Sequence, residues 1–212
     1  MGVAFRYRYK QVFAIVFASL AFAFHIADFI TTKIILKDQN AFSSPLQNGL
    51  MLFSFLIMAL AFGWVLVGNI QSNGRAYAGL LLYVGMQIVG FIYDAVFGSI
   101  DFFRTFTMGE PTYVVLSVMV LLFYVACAAS GIMLYLMVRR YIIRQSIGFG
   151  KVLLWAIIFG VMNLIAVGFW PLYVFLLSGN NPALLLHYFG SAAELCITLA
   201  IFFTVLRLKN DL

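Results

Sequence analysis

Six apolar stretches divided by short polar turns decide what this chain can fold into. They cover about 11–36, 47–70, 76–98, 112–138, 153–178 and 182–208. Each reaches the roughly 20 residues that an α-helix needs to cross the hydrocarbon core of a bilayer. The breaks carry turn chemistry: Asn40 to Pro45, then Ser72-Asn73-Gly74, then Gly109-Glu110-Pro111, then Gly179-Asn180-Asn181-Pro182. The expected fold is all-α: a polytopic membrane helix bundle of six transmembrane helices. Six such spans use nearly all of the 212 residues, so 1–212 reads as a single transmembrane domain with no soluble domain attached. Composition excludes an ordinary globule. The chain is 65% hydrophobic and 9% charged, against about 45–50% and about 25% in soluble domains.

Charge gives the topology independently of hydropathy. Six spans with a cytoplasmic N-terminus place Arg6, Arg8, Lys10, Arg75, Arg139, Arg140, Arg144, Lys151, Arg207 and Lys209 on the cytoplasmic side. Lys33, Lys37 and Arg104 fall on the other, completing the 13 basic residues. This asymmetry obeys the positive-inside rule, and five or seven spans would break it. Both termini are therefore expected in the cytoplasm. The net charge of +6 has the same origin. With no basic stripe interleaved with aromatics, nucleic acid is not an expected partner. Arg6, Arg8 and Lys10 ahead of an apolar run imitate a secretory signal, but that run continues to about Leu36, too long for a cleaved leader. A retained first helix is the expectation. Cys127 and Cys196 both lie in apolar runs and read as small buried hydrophobes rather than a disulfide or redox pair.

Ionisable residues within spans carry the functional argument, because each costs roughly 2.5–3.5 kcal/mol to insert at a helix centre. They are His25, Asp28, Asp94, His187 and Glu194. In the first span Ala14, Ala18, Ala21, His25, Asp28 and Thr32 share one face at steps of three and four. In the third, Ala76, Tyr83, Gln87, Gly90 and Asp94 form a similar seam. In the sixth, His187, Ser191, Glu194 and Thr198 do so, while the fifth offers Ala156, Gly160 and Asn163. The second span is the least polar and is expected at the periphery. At about 1.5 Å per residue, His25 lies roughly 21 Å and Asp28 roughly 25 Å from the cytoplasmic end. The same rise places Asp94 at roughly 27 Å, Glu194 at roughly 21 Å and His187 at roughly 31 Å. The first, third and sixth spans are thus expected to meet around a polar binding site formed by His25, Asp28, Asp94, Asn163, His187 and Glu194.

Carboxyl and imidazole groups are the usual carriers of protons and ligands of cations within membranes. Two imidazoles and three carboxylates would also suffice for a metal, but no HxxxH or HExxH spacing specifies one, and the depths of His25 and His187 do not match for haem. No cofactor is predicted. The reading is a multi-pass protein that handles a small solute, ion or proton through this site. An accessory or scaffold subunit of a larger membrane complex is the alternative, with the small-residue face of the first span as a seam for a membrane-protein partner or a second copy. An intramembrane lipid-modifying enzyme is a third class. His, Asp and Glu are adequate acid–base groups for it, but no nucleophile motif such as GxSxG occurs. Elsewhere, Tyr7, Tyr9, Trp155, Trp170, Tyr173 and Tyr188 sit near span ends as interfacial anchors in the lipid bilayer. Arg139, Arg140 and Arg144 are placed to contact anionic lipid headgroups.

Overall fold

The structure, a computed structural model, describes residues 2–31, 45–72, 74–107, 111–143, 147–178 and 188–211. At 2–8, 45–48, 50–51, 94, 97–107, 111–117, 119–120, 168–178 and 210–211 it describes the backbone alone. These residues form six helices: α1 (Gly2–Phe29), α2 (Pro45–Gln71), α3 (Arg75–Thr107), α4 (Pro111–Ile142), α5 (Phe149–Ser178) and α6 (Tyr188–Asp211). Each contains a segment long and apolar enough to cross a membrane, from Tyr9–Phe29 in α1 to Tyr188–Lys209 in α6.

Local chemistry explains the boundaries. Prolines open α2 and α4 at Pro45 and Pro111, where the missing N–H is not needed and the fixed φ suits a helix. Ser72 closes α2 in the left-handed region at φ 51°. Gly74 then accepts from the amides of Tyr77 and Ala78 to start α3. All six helices overrun an expected limit, two of them by nine residues. α1 begins at Gly2, because Arg6, Arg8 and Lys10 are good helix formers. α3 continues past Gly98 to Thr107, since one glycine costs only about 1 kcal/mol and no proline follows before Pro111. The expected spans at 32–36 and 182–187 lie outside the described residues.

The chain packs as two compact units: residues 1–83 with 163–212, and residues 84–162. In the first unit α1 lies antiparallel along α6. Lys10 Nζ reaches Leu206 O at 3.3 Å, Phe13 and Phe17 stack on Phe203, and Phe24 stacks on Phe189. The start of the first helix and the end of the last therefore share one end of this unit. Ala14, Ala18 and Ala21 are fully buried, so the small-residue face of α1 is covered from within the chain. The α2–α3 hairpin depends on two close approaches. A methyl at Gly68 would fall on the backbone nitrogen of Ala76, and one at Gly79 would lie 2.7 Å from Val65 N and 2.9 Å from Ala61 O. α2 is not merely peripheral: Ala61, Phe62, Val65 and Asn69 are all fully buried. Its polarity was low in number, but Asn69 is central.

The second unit joins the remainder of α3, α4 and the first part of α5. Val84, Cys127, Leu134, Val138, Val152 and Phe159 form its core, and Phe91 faces Tyr124 at 6.4 Å between ring centres. A methyl on Gly131 would sit 2.8 Å from Ile88 Cγ1. Outward-facing positions in both units are strongly apolar. Phe53, Val89 and Leu122 are each more than 60% exposed, a surface suited to lipid and unsuited to water.

Candidate functional site

A polar group in the first unit is assembled from α3, α5 and α6. Tyr83 Oη donates to Glu194 Oε2 at 2.6 Å. Asn163 Nδ2 donates to Tyr83 Oη at 3.0 Å and to Thr198 Oγ1 at 2.8 Å. Thr198 Oγ1 in turn donates to the backbone oxygen of Glu194, one turn earlier in α6, at 2.7 Å. Tyr83, Asn163 and Thr198 are at most 5% exposed. Such a group survives in an apolar interior only because its members satisfy one another. Helical spacing explains the α6 contribution, since Glu194 and Thr198 are four residues apart and share a face.

The direction of these bonds has a chemical meaning. Asn163 uses both amide hydrogens, and Tyr83 and Thr198 each use their only one. All four donor hydrogens are thus engaged inside the group. The capacity it can offer to an incoming species is oxygen lone pairs, concentrated on the carboxylate.

α1 and the π-turn that follows it add three residues nearby. The Asp28 carboxylate lies against Gly190, where an added methyl would be 3.1 Å from Oδ1 and 3.2 Å from Cγ. Gly190 precedes Glu194 by one turn of α6, so Asp28 packs one turn from the second acid. Thr31 donates to the carbonyls of Ala27 and Asp28 where α1 widens into a π-turn at residues 30–31. His25 Nε2 is 3.3 Å from Phe55 O. A carbonyl only accepts, so Nε2 carries the hydrogen. The imidazole stacks on Phe55 at 4.6 Å and meets Phe62 edge-on at 5.1 Å. Phe62 lies 5.8 Å from the ring of Tyr83.

Of the six expected binding residues, Glu194 and Asn163 are bonded into one group, Asp28 packs on α6 one turn away, and His25 turns towards α2. Asp94 belongs to α3 within the second unit, and its side chain lies outside the described residues, as does the whole of His187. Arg139 and Arg140 are exposed in the last turn of α4, while Arg144 lies outside the described residues. Among the described residues, no three His, Cys, Asp or Glu side chains are grouped to hold a metal ion.

A second polar group was not expected from the sequence. Arg207, only 4% exposed, donates through Nη1 to Asn69 Oδ1 at 2.7 Å. Asn69 Nδ2 donates to Thr204 Oγ1 at 3.0 Å and to Val65 O at 2.8 Å. Gln11 Nε2 bonds Asn69 O at 2.7 Å and Ser72 Oγ at 2.8 Å, satisfying a carbonyl that the end of α2 leaves open. The available signal was the coincidence of Asn69, Thr204 and Arg207 at matching depth in two spans.

Six apolar helices long enough to span a bilayer are compatible with the class of multi-pass membrane proteins. The chain matches no protein-family model, no curated protein and no solved structure.

Proposed function

We propose that this chain is a multi-pass membrane protein that handles a small solute, ion or proton through the polar group around Glu194. The observation that carries the reading is the convergence of hydrogen bonds from Asn163 through Tyr83 onto the Glu194 carboxylate. A carboxylate placed within a span is costly and is kept where it does work. A purely adhesive role would need one hydrogen bond between helices, whereas three buried side chains from three helices are devoted to this acid and its backbone. Asp28 supplies a second acid one turn away, and His25 lies one turn earlier on the same helix.

For topology we propose that both termini are cytoplasmic and that the chain forms one membrane domain. The contact of Lys10 with Leu206 supports an even number of crossings, and the ten-to-three distribution of basic residues supports the orientation. An accessory-subunit role is less favoured, because Ala14, Ala18 and Ala21 are covered by the chain's own helices.

The test is reconstitution of the purified protein into liposomes. Proton movement is read with an entrapped pH-sensitive dye, and sodium and potassium with tracer ions. Flux of at least one species above that of protein-free vesicles is expected. Rates equal to protein-free vesicles for all three would overturn the reading.

A further inference from the structure

We propose that Glu194 takes up and releases a proton inside the helix bundle, with Tyr83 as the residue that positions its carboxylate; this rests on the reading of the Glu194 group as the working site. The donor arithmetic selects the class of ligand. With the hydrogens of Asn163, Tyr83 and Thr198 all engaged, the group is complementary to a positive charge or a hydrogen-bond donor, not to an anion.

Geometry then favours a proton over a metal cation. A hard metal ion requires several oxygens aimed at one point. Here Asn163 Nδ2 already occupies the oxygens of both Tyr83 and Thr198. A proton needs only the carboxylate and one partner able to serve both of its states. The Tyr83 hydroxyl is such a partner. At 2.6 Å its bond to Glu194 has the length of a charge-assisted O–H···O⁻ contact. When Glu194 carries the proton on Oε1, Oε2 remains an acceptor, so the Tyr83 hydroxyl goes on donating to it and keeps its bond from Asn163. Neither state requires a helix to move.

Among the described residues, the groups on and around the Glu194–Tyr83 pair come from four helices. α3 presents Tyr83 and α5 presents the uncharged Asn163. α1 presents Asp28 at Gly190, and its His25 is turned to Phe55 O of α2. α2 presents the uncharged Phe62 to the Tyr83 ring.

The experiment labels the full-length protein with dicyclohexylcarbodiimide in liposomes at a series of pH values and locates adducts by peptide mass spectrometry. A protonated carboxyl adds across one C=N bond of the reagent: its oxygen bonds to carbon and its proton goes to nitrogen. An O-to-N acyl shift then yields a stable N-acylurea, with no leaving group and no change of oxidation state. The expected result is an adduct at Glu194 that declines as pH rises. Tyr83→Phe removes a donor to the carboxylate, so the decline moves up by about one pH unit, with roughly tenfold more adduct at a fixed alkaline pH. Absence of the Glu194 adduct, or an adduct indifferent to pH, would overturn the proposal. So would suppression by sodium or potassium chloride beyond that by choline chloride, which would give the site to a metal ion. The wild-type profile decides these outcomes even where Tyr83→Phe does not fold. A protein that labels at Glu194 with the expected pH profile but carries no flux keeps this inference and removes the transport reading.

Discussion

Asn69 of α2 and Arg207 of α6 meet at 2.7 Å with both side chains nearly or fully buried. The same helix carries Glu194 roughly 20 Å away along its axis. α6 therefore links a basic polar layer, near the contact of Lys10 with Leu206, to an acidic polar layer deeper in the first unit. The two layers have opposite chemistry: Lys10, Gln11 and Arg207 donate to neutral acceptors, whereas the Glu194 group is closed by an anion.

The first prediction concerns the basic layer. Asn69→Ala removes an acceptor of a buried guanidinium, a class of hydrogen bond contributing about 1.5–3 kcal/mol. Ser72→Ala removes only an exposed contact with Gln11 and is expected to cost less than about 1 kcal/mol. Reversible unfolding in mixed micelles compares the two; equal losses would contradict the burial of this layer.

The α2–α3 hairpin gives a steric prediction. Gly68→Ala drives a methyl into the backbone of Ala76, where no side-chain rotation relieves the clash. A loss above about 4 kcal/mol is expected, seen as failure to recover folded protein. Gly49→Ala meets nothing within 4 Å and is expected to stabilise α2 by about 0.5–1 kcal/mol through reduced chain entropy. Thermal unfolding of the purified variants separates the two outcomes.

Gly190 sets the approach of Asp28 to α6. Gly190→Ala requires the carboxylate to retreat by a few tenths of an ångström, with an overpacking cost of about 1–3 kcal/mol. The expected result is a folded protein whose flux in liposomes is several-fold lower. Unchanged flux would detach Asp28 from the working group.

Topology is testable by cysteine labelling. Gly74 and Gly148 are exposed between helices with nothing within 4 Å. Gly74→Cys and Gly148→Cys are expected to react with a membrane-impermeant maleimide in inverted vesicles but not in intact cells. The native Cys127 and Cys196 are buried and are expected to stay silent. Labelling of either engineered position in intact cells would reverse the orientation.

The six helices and the alanine face of α1 were legible because hydrophobic length and three-to-four spacing are local properties. Glu194 and Asn163 were legible as residues too costly to place idly in a span. Their joining through Tyr83 was not. A tyrosine near the middle of a seam reads equally well as packing, and only the packing of α3 against α5 and α6 shows which acid its hydroxyl meets. Arg207 was read as a topological charge at a span end. Its burial depends on Asn69 and Thr204 facing it from α2 and within α6, a long-range coincidence that periodicity does not encode. Asp94 was grouped with the other acids by depth and by its place on the Tyr83 seam of α3, and its side chain lies outside the described residues.

The most direct measurement of the central claim pairs flux with folding in Glu194→Gln. This substitution keeps side-chain size and the oxygen that Tyr83 contacts while removing the charge. The account predicts an unfolding midpoint within a few degrees of wild type and ion or proton flux reduced to that of protein-free vesicles. A variant that unfolds like wild type and retains wild-type flux would show that this carboxylate takes no part in function.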